Sequence, residues 1–204
     1  MREPPQAVVF DVGRVLFDWN LRYLFEKLIA DSGELDWFLA NVVTEEWHSQ
    51  SDLGRPIAEM VAELKACHPA HAALIDAYAD RFAETIPRAI PGTHDLVHRL
   101  AGRGVPLYAL TNFGAEFWLR FRPVQPIFDL FTDIVVSGEV GCMKPDPRIY
   151  AIAEARFGLG GAALFFADDS PANVAAAAAR GWRAHLFVDS GSLEREMTTL
   201  GLLD

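Results

Sequence analysis

Three short apolar runs constrain this chain more than anything else in it: Ala7-Val8-Val9-Phe10, Val105-Pro106-Leu107-Tyr108-Ala109-Leu110 and Ala163-Leu164-Phe165-Phe166-Ala167. Each stops on side chains able to do chemistry, at Asp11, at Thr111-Asn112 and at Asp168-Asp169. Continuous apolar runs of this length read as strands buried on both faces, and helical stretches separate them, so the pattern predicts βαβ units and a parallel sheet. In such a sheet the strand ends of one polarity share an edge, where ligands gather. Asp11, Thr111, Asn112, Asp168 and Asp169 are therefore expected in one crevice, with Lys144 joining them from the loop before the helix that starts near residue 146.

Between the first run and the second lies a different kind of sequence. Asn20 is placed to cap a helix carrying Leu21, Leu24, Phe25, Leu28 and Ile29, and amphipathic helices follow over 35–40, 57–64 and 72–82. No strand is expected from Asp18 to about Ile90; residues 49–56, with Gly54 and Pro56, read as loop, and Pro87 to Pro91 reads as a linker back to the sheet. Helices are then expected to about Arg103 and over 115–121, 146–156 and 171–180, with further strands at 134–137 and 184–188. The expectation is an α/β fold, a Rossmann-like doubly wound parallel sheet formed by 1–17 and 91–204, with a small all-helical unit, 18–90, inserted after the first strand.

A length of 204 residues suits that plan, and the formal charge of −10, with Lys and Arg scattered, excludes the basic stripe of a nucleic-acid binder. Cys67 and Cys142 stand alone, so neither a disulfide framework nor a thiolate zinc site is expected and reduced cysteines are the default. The N-terminal apolar run is too short for a signal core and nothing approaches the length of a membrane span, so the reading is cytoplasmic, with no membrane partner.

Clustered carboxylates repel unless an ammonium or a hard cation sits among them, and Mg²⁺ favours carboxylate, carbonyl and water oxygens. Lys144 and such a cation would also hold an anionic small-molecule substrate, while the Thr111 hydroxyl and Asn112 amide can donate to phosphate oxygens. The set reads as a site for a phosphate ester. The ordered motifs FDVGRVL, LTN, GEVGCMKPDPRIY and FFADDSPANV, spanning 10–174, resemble those of the haloacid dehalogenase (HAD) superfamily hydrolases. The resemblance implies that Asp11 is the nucleophile and forms a covalent aspartyl intermediate. It further implies that Thr111 binds phosphate with Asn112 beside it, and that Lys144 neutralises nucleophile and phosphate. Mg²⁺ would be held by Asp169, with Asp168, Asp11 and the Gly13 carbonyl, Asn173 would orient Lys144 or the metal's surroundings, and the helical insert would be a cap that closes over the site and carries selectivity.

One departure stands out. Most phosphatases of the superfamily carry a second aspartate, the general acid/base, two residues after the nucleophile, and here that position is Gly13; a sugar-phosphatase-like subset shares the DxGxVL pattern. His48, with a free pKa near neutrality, is a candidate replacement from the insert, and Arg14 a candidate substrate contact against the plainer reading of a solvated turn residue. Trp19 reads as packing, Asp18 as capping or solvating the entry to the next helix, and Asp146 as helix N-terminal punctuation. Phe117, Trp118 and Phe121 read as core or as a dimer contact, which leaves a homodimer open. Three functions are carried forward. The first is a Mg²⁺-dependent phosphatase of a small phosphorylated metabolite such as a sugar phosphate. The second is a metal-independent 2-haloacid dehalogenase, which needs no acid for a halide leaving group. The third is an inactive binding protein of the same fold.

Overall fold

A computed structural model describes residues 3–204; Met1 and Arg2, which fall in the expected first segment, lie outside the described residues. β1 (Ala7–Phe10) is buried at every position, so its apolar run meets no solvent on either side of the sheet. The chain then makes a two-residue strand, β2 (Phe17–Asp18), and enters the helices α1 (Arg22–Phe25), α2 (Ser32–Asn41), α3 (Glu45–Asp52), α4 (Ile57–Cys67) and α5 (Ala72–Asp80). It returns through β3 (Arg88–Ala89) and α6 (Thr93–Gly102) to β4 (Leu107–Thr111), α7 (Ala115–Phe121) and β5 (Asp133–Val136). The last part alternates α8 (Ser137–Val140), α9 (Pro147–Phe157), β6 (Leu164–Asp168), α10 (Pro171–Ala179), β7 (Arg183–Leu186) and α11 (Ser190–Thr199). The five-stranded sheet has the order β5-β4-β1-β6-β7, with all pairings parallel. This is the Rossmann-like α/β fold expected, and β1 sits at its centre.

Several local expectations are corrected. Only 53–56 of the expected loop is loop: α3 runs through Asp52, its first turn capped by the Thr44 hydroxyl accepting from the Trp47 amide, and the turn at Gly54 and Pro56 leads into α4. The stretch 18–90 does hold strand, because β2 pairs antiparallel with β3, two residues on each side. That ribbon joins the outgoing and returning chain at the root of the helical insertion. Asp18 caps no helix; its carboxylate takes the Arg88 guanidinium and the Tyr23 hydroxyl. Asn20 does accept from the Arg22 amide, but the helix it opens is only Arg22–Phe25. Asp146 caps α9 as expected, accepting from the Arg148 amide with Pro147 in the first turn. Phe117, Trp118 and Phe121 are buried, so they belong to the core rather than to a dimer face.

The helical insertion is seated tightly on the sheet side. Val8 and Phe10 of β1 belong to the same buried apolar cluster as Phe38, Ile75 and Tyr78 of the inserted helices. Glu116 of α7 accepts from the Ile57 amide at 2.9 Å, capping α4 from across the seam. Gly54, with φ at 88°, lies against Gly138, whose carbonyl oxygen would stand 2.8 Å from any Cβ at position 54. A Cβ on Gly138 would itself fall 2.5 Å from the Ala115 nitrogen. Gly54→Ala combines a left-handed backbone with a backbone clash, and we expect it to cost about 2 kcal/mol, seen as a melting point lowered by about 4–8 °C. A thermal melt that does not move would show that the seam has slack. No helix of the described residues is long and apolar enough to cross a membrane.

Candidate active site

The parallel sheet places Asp11, Thr111 and Asp168 at the same edge, because β1, β4 and β6 are adjacent and end there. Lys144 arrives from the loop between α8 and α9. Its ammonium is buried and lies 2.8 Å from Asp11 Oδ1 and 2.6 Å from Asp168 Oδ2. Two carboxylates contest one cation here, and the cation is held hard. Burial alone would lower the Lys144 pKa, but Asp11 and Asp168 outweigh it and keep the ammonium charged.

Asp11 feels the opposite balance. Burial pushes its carboxyl up to about 8; Lys144 opposes the rise, and the neighbouring Asp168 adds to it. Its Oδ1 accepts from Lys144 and from the Val12 amide, while no hydrogen bond reaches Oδ2 among the described residues. Asp169 is also raised, by burial first and then by Asp168. A carboxylate oxygen from each of Asp11, Asp168 and Asp169 lies within 4.8 Å of the others. An all-oxygen set at this spacing fits a hard divalent cation such as Mg²⁺. Asp168, however, is already engaged: Oδ1 accepts from the Ser170 amide and Asn173 Nδ2, and Oδ2 takes Lys144. Asp168 thus holds the lysine, which leaves the oxygens of Asp11 and Asp169 as the ones open to the cavity, with Gly13 lining it beside them.

Asn112 departs from expectation in a similar way. Its Nδ2 donates to the Lys144 carbonyl at 3.0 Å and its Oδ1 accepts from the Lys144 amide at 2.8 Å, so its amide fixes the lysine loop instead of standing free for phosphate. Thr111 is fully buried at the end of β4, and Asn112 and Phe113 line the cavity in its place. Asn173 donates to Asp168, and the Tyr150 hydroxyl donates to the Asn173 carbonyl, which ties α10 to α9 behind the site.

These residues floor a cavity of about 320 Å³ whose opposite wall comes from the helical insertion, including Trp19, Glu45, His48, Asp52, Phe82 and Ile86. Arg14 is a turn residue with a partly exposed side chain, yet that side chain is not free. It adopts a left-handed φ of 60°, pairs with Glu45 of α3 and lies over the Trp19 ring at 4.8 Å. It therefore clasps sheet and insertion together at the rim of the cavity. His48 lines the cavity, but its imidazole is pushed down to about 4 by burial and by Arg14, and its Nδ1 is 2.6 Å from the Tyr78 hydroxyl. At neutral pH it is uncharged, which removes the proton-donor role expected of it. Asp52 was missed. It lines the same cavity from the end of α3, buried, and Gly54 and Pro56 just beyond it disguised the end of its helix as a loop.

A family model described as haloacid dehalogenase-like hydrolase matches residues 5–181. Among curated proteins, the chain is 28% identical over 191 residues to the sesquiterpene phosphatase astK of Aspergillus oryzae, covering 91% of each chain. It is also 28% identical over 214 residues to phosphatase MT3486 of Mycobacterium tuberculosis, covering 97% of this chain and 95% of that one. Among solved structures, the HAD family enzyme bt-2542 of Bacteroides thetaiotaomicron superposes with a TM-score of 0.75 at 19% identity, covering 96% of this chain and 99% of that one. The same enzyme has been solved in complex with magnesium and inorganic phosphate.

Proposed function

Because the chain belongs to the haloacid dehalogenase-like hydrolases, we propose that it is a Mg²⁺-dependent phosphatase that hydrolyses a small phosphate monoester through an aspartyl-phosphate on Asp11. The observation that carries this reading is the buried Lys144 ammonium between Asp11 and Asp168, with the Asp169 carboxylate in the same cluster. An ammonium so placed holds Asp11 ready for an anionic partner and offsets charge on the phosphoryl oxygens. Asp11 and Asp169, with the Gly13 carbonyl, would hold Mg²⁺, whose role when bound is to offset the combined charge of carboxylate and phosphate. Asp11 attacks phosphorus in line, and water then releases inorganic phosphate from the aspartyl group. Asn112 shapes the floor, chiefly by holding Lys144, with Thr111 buried behind it. The insert, 18–90, acts as the cap over 1–17 and 91–204, and the cavity of about 320 Å³ limits the substrate to a small ester. The homologues named phosphatases support the reaction class.

Chelation supplies the test. Removing divalent cations with EDTA should lower p-nitrophenyl phosphate turnover by about 100-fold or more, and added Mg²⁺ should restore it. Undiminished turnover in EDTA would remove the metal from the mechanism. Halide release from 2-chloropropionate without metal would replace the phosphatase reading with that of a dehalogenase.

A further inference from the structure

We propose that Asp52, contributed by the inserted helices, is the acid that protonates the leaving oxygen of the substrate, the office left vacant by Gly13. The inference rests on the phosphatase reading above and deepens it. Position 13 is bare without being crowded: a Cβ there would meet nothing nearer than the Trp19 Cβ at 4.0 Å, so the missing carboxylate is not excluded by packing. In-line displacement puts nucleophile and leaving group on opposite faces of phosphorus. With Asp11 on the sheet side, the departing oxygen faces the inserted helices.

Two carboxyl groups of the insertion line that wall, Glu45 and Asp52. Glu45 is half-exposed and spent on Arg14. Asp52 is buried and bonded to no cation, and its nearest basic neighbour, His48 Nε2, is 3.7 Å away on an uncharged ring. The groups that face it are His48 and Ser51 of its own helix, Tyr78 of α5, and the Gly114 amide and Lys144 of the sheet side. Burial pushes its carboxyl up to about 7, and the Ser51 hydroxyl, the Gly114 amide and Lys144 pull it back only in part. A carboxyl poised there carries a proton in a useful share of molecules near neutral pH.

The step balances. As the Asp11 oxygen bonds to phosphorus, the bond from phosphorus to the ester oxygen breaks, and its electron pair takes the Asp52 proton, releasing the alcohol. Water then enters where the alcohol left. Asp52, now a carboxylate, accepts a proton from that water as its oxygen bonds to phosphorus and the bond to Asp11 breaks, which returns both aspartates to their starting states.

The experiment compares leaving groups. With Mg²⁺ present, kcat/KM is measured for n-butyl phosphate, whose alkoxide needs a proton, and for p-nitrophenyl phosphate, whose phenolate leaves without one. Asp52→Asn, which keeps an acceptor for the Gly114 amide, should lose about 10²–10⁴-fold on the butyl ester, and at least about 30-fold more than on the aryl ester. Wild-type kcat/KM for the butyl ester should fall as pH rises through about 7, where Asp52 gives up its proton, and Asp52→Asn should lack that limb. Asp52→Glu, which returns a displaced carboxyl, should recover part of the butyl-ester rate, and it carries the comparison if Asp52→Asn does not fold. Equal losses on the two esters would overturn the proposal and leave Asp52 a docking contact. Wild-type protein inert toward both esters would instead strike the phosphatase reading itself, before any variant is made.

Discussion

Asp11→Asn should lose at least about 10⁴-fold in kcat toward any phosphate ester the protein turns over, while melting at or above the wild-type temperature. The amide nitrogen is no nucleophile, and the amide oxygen keeps the shape and the acceptor used by the Val12 amide. Its stability follows from the sign of the titration. Unfolded, Asp11 sheds its proton near the ordinary carboxylate value of 3.8; folded, burial delays this to about 8. Between those pH values the folded state binds more protons than the unfolded one, so without metal the contribution of Asp11 to stability declines as pH rises across that window. The variant has no such decline. Melting curves in EDTA from pH 4 to pH 8 should therefore show the gap between variant and wild type widening upward in pH. A variant that keeps even a tenth of wild-type turnover would mean that another group attacks.

Lys144→Met should be the most damaging single change to the fold. The ammonium is buried between Asp11 and Asp168, and its loss leaves buried acids with no cation, at a cost of about 3–5 kcal/mol. For a chain of this size that lowers the melting point by on the order of 10 °C. Turnover should vanish as well, since the phosphoryl charge loses its counter-ion. If charge is the cause, Lys144→Met with Asp168→Asn should melt above Lys144→Met alone, because one stranded carboxylate has been neutralised. Strictly additive losses in that double variant would point to lost packing against Phe166, which lies 5.5 Å from the ammonium.

What the sequence disclosed and what it hid divide along physical lines. β1, β4 and β6 were legible because strands buried on both faces leave unbroken apolar runs, and the polar residues that stop them stand out. Lys144 was legible through its motif. The duty of Asn112 was not, since its partner is the Lys144 backbone, thirty-two positions away, and nothing local announces such a bond. Asp168 and Asp169 look interchangeable in a string, yet the first is tied into Lys144, Ser170 and Asn173 while the second faces the cavity. The β2–β3 ribbon escaped because two residues per strand cannot show a period. Asp52 escaped because Gly54 and Pro56 just beyond it, and the weak helix formers Ser49 and Ser51 before it, marked a loop, while the Thr44 cap and tertiary packing carry α3 through it.

The unbroken apolar cluster from Val8 and Phe10 to Phe38, Ile75 and Tyr78 has a bearing on how such a molecule can be re-engineered. The inserted helices have no finished surface where they meet the sheet, so grafting a foreign set in their place would mismatch the interior as well as the pocket. New selectivity is better sought by editing single side chains around the rim, with the shared interior left as it stands.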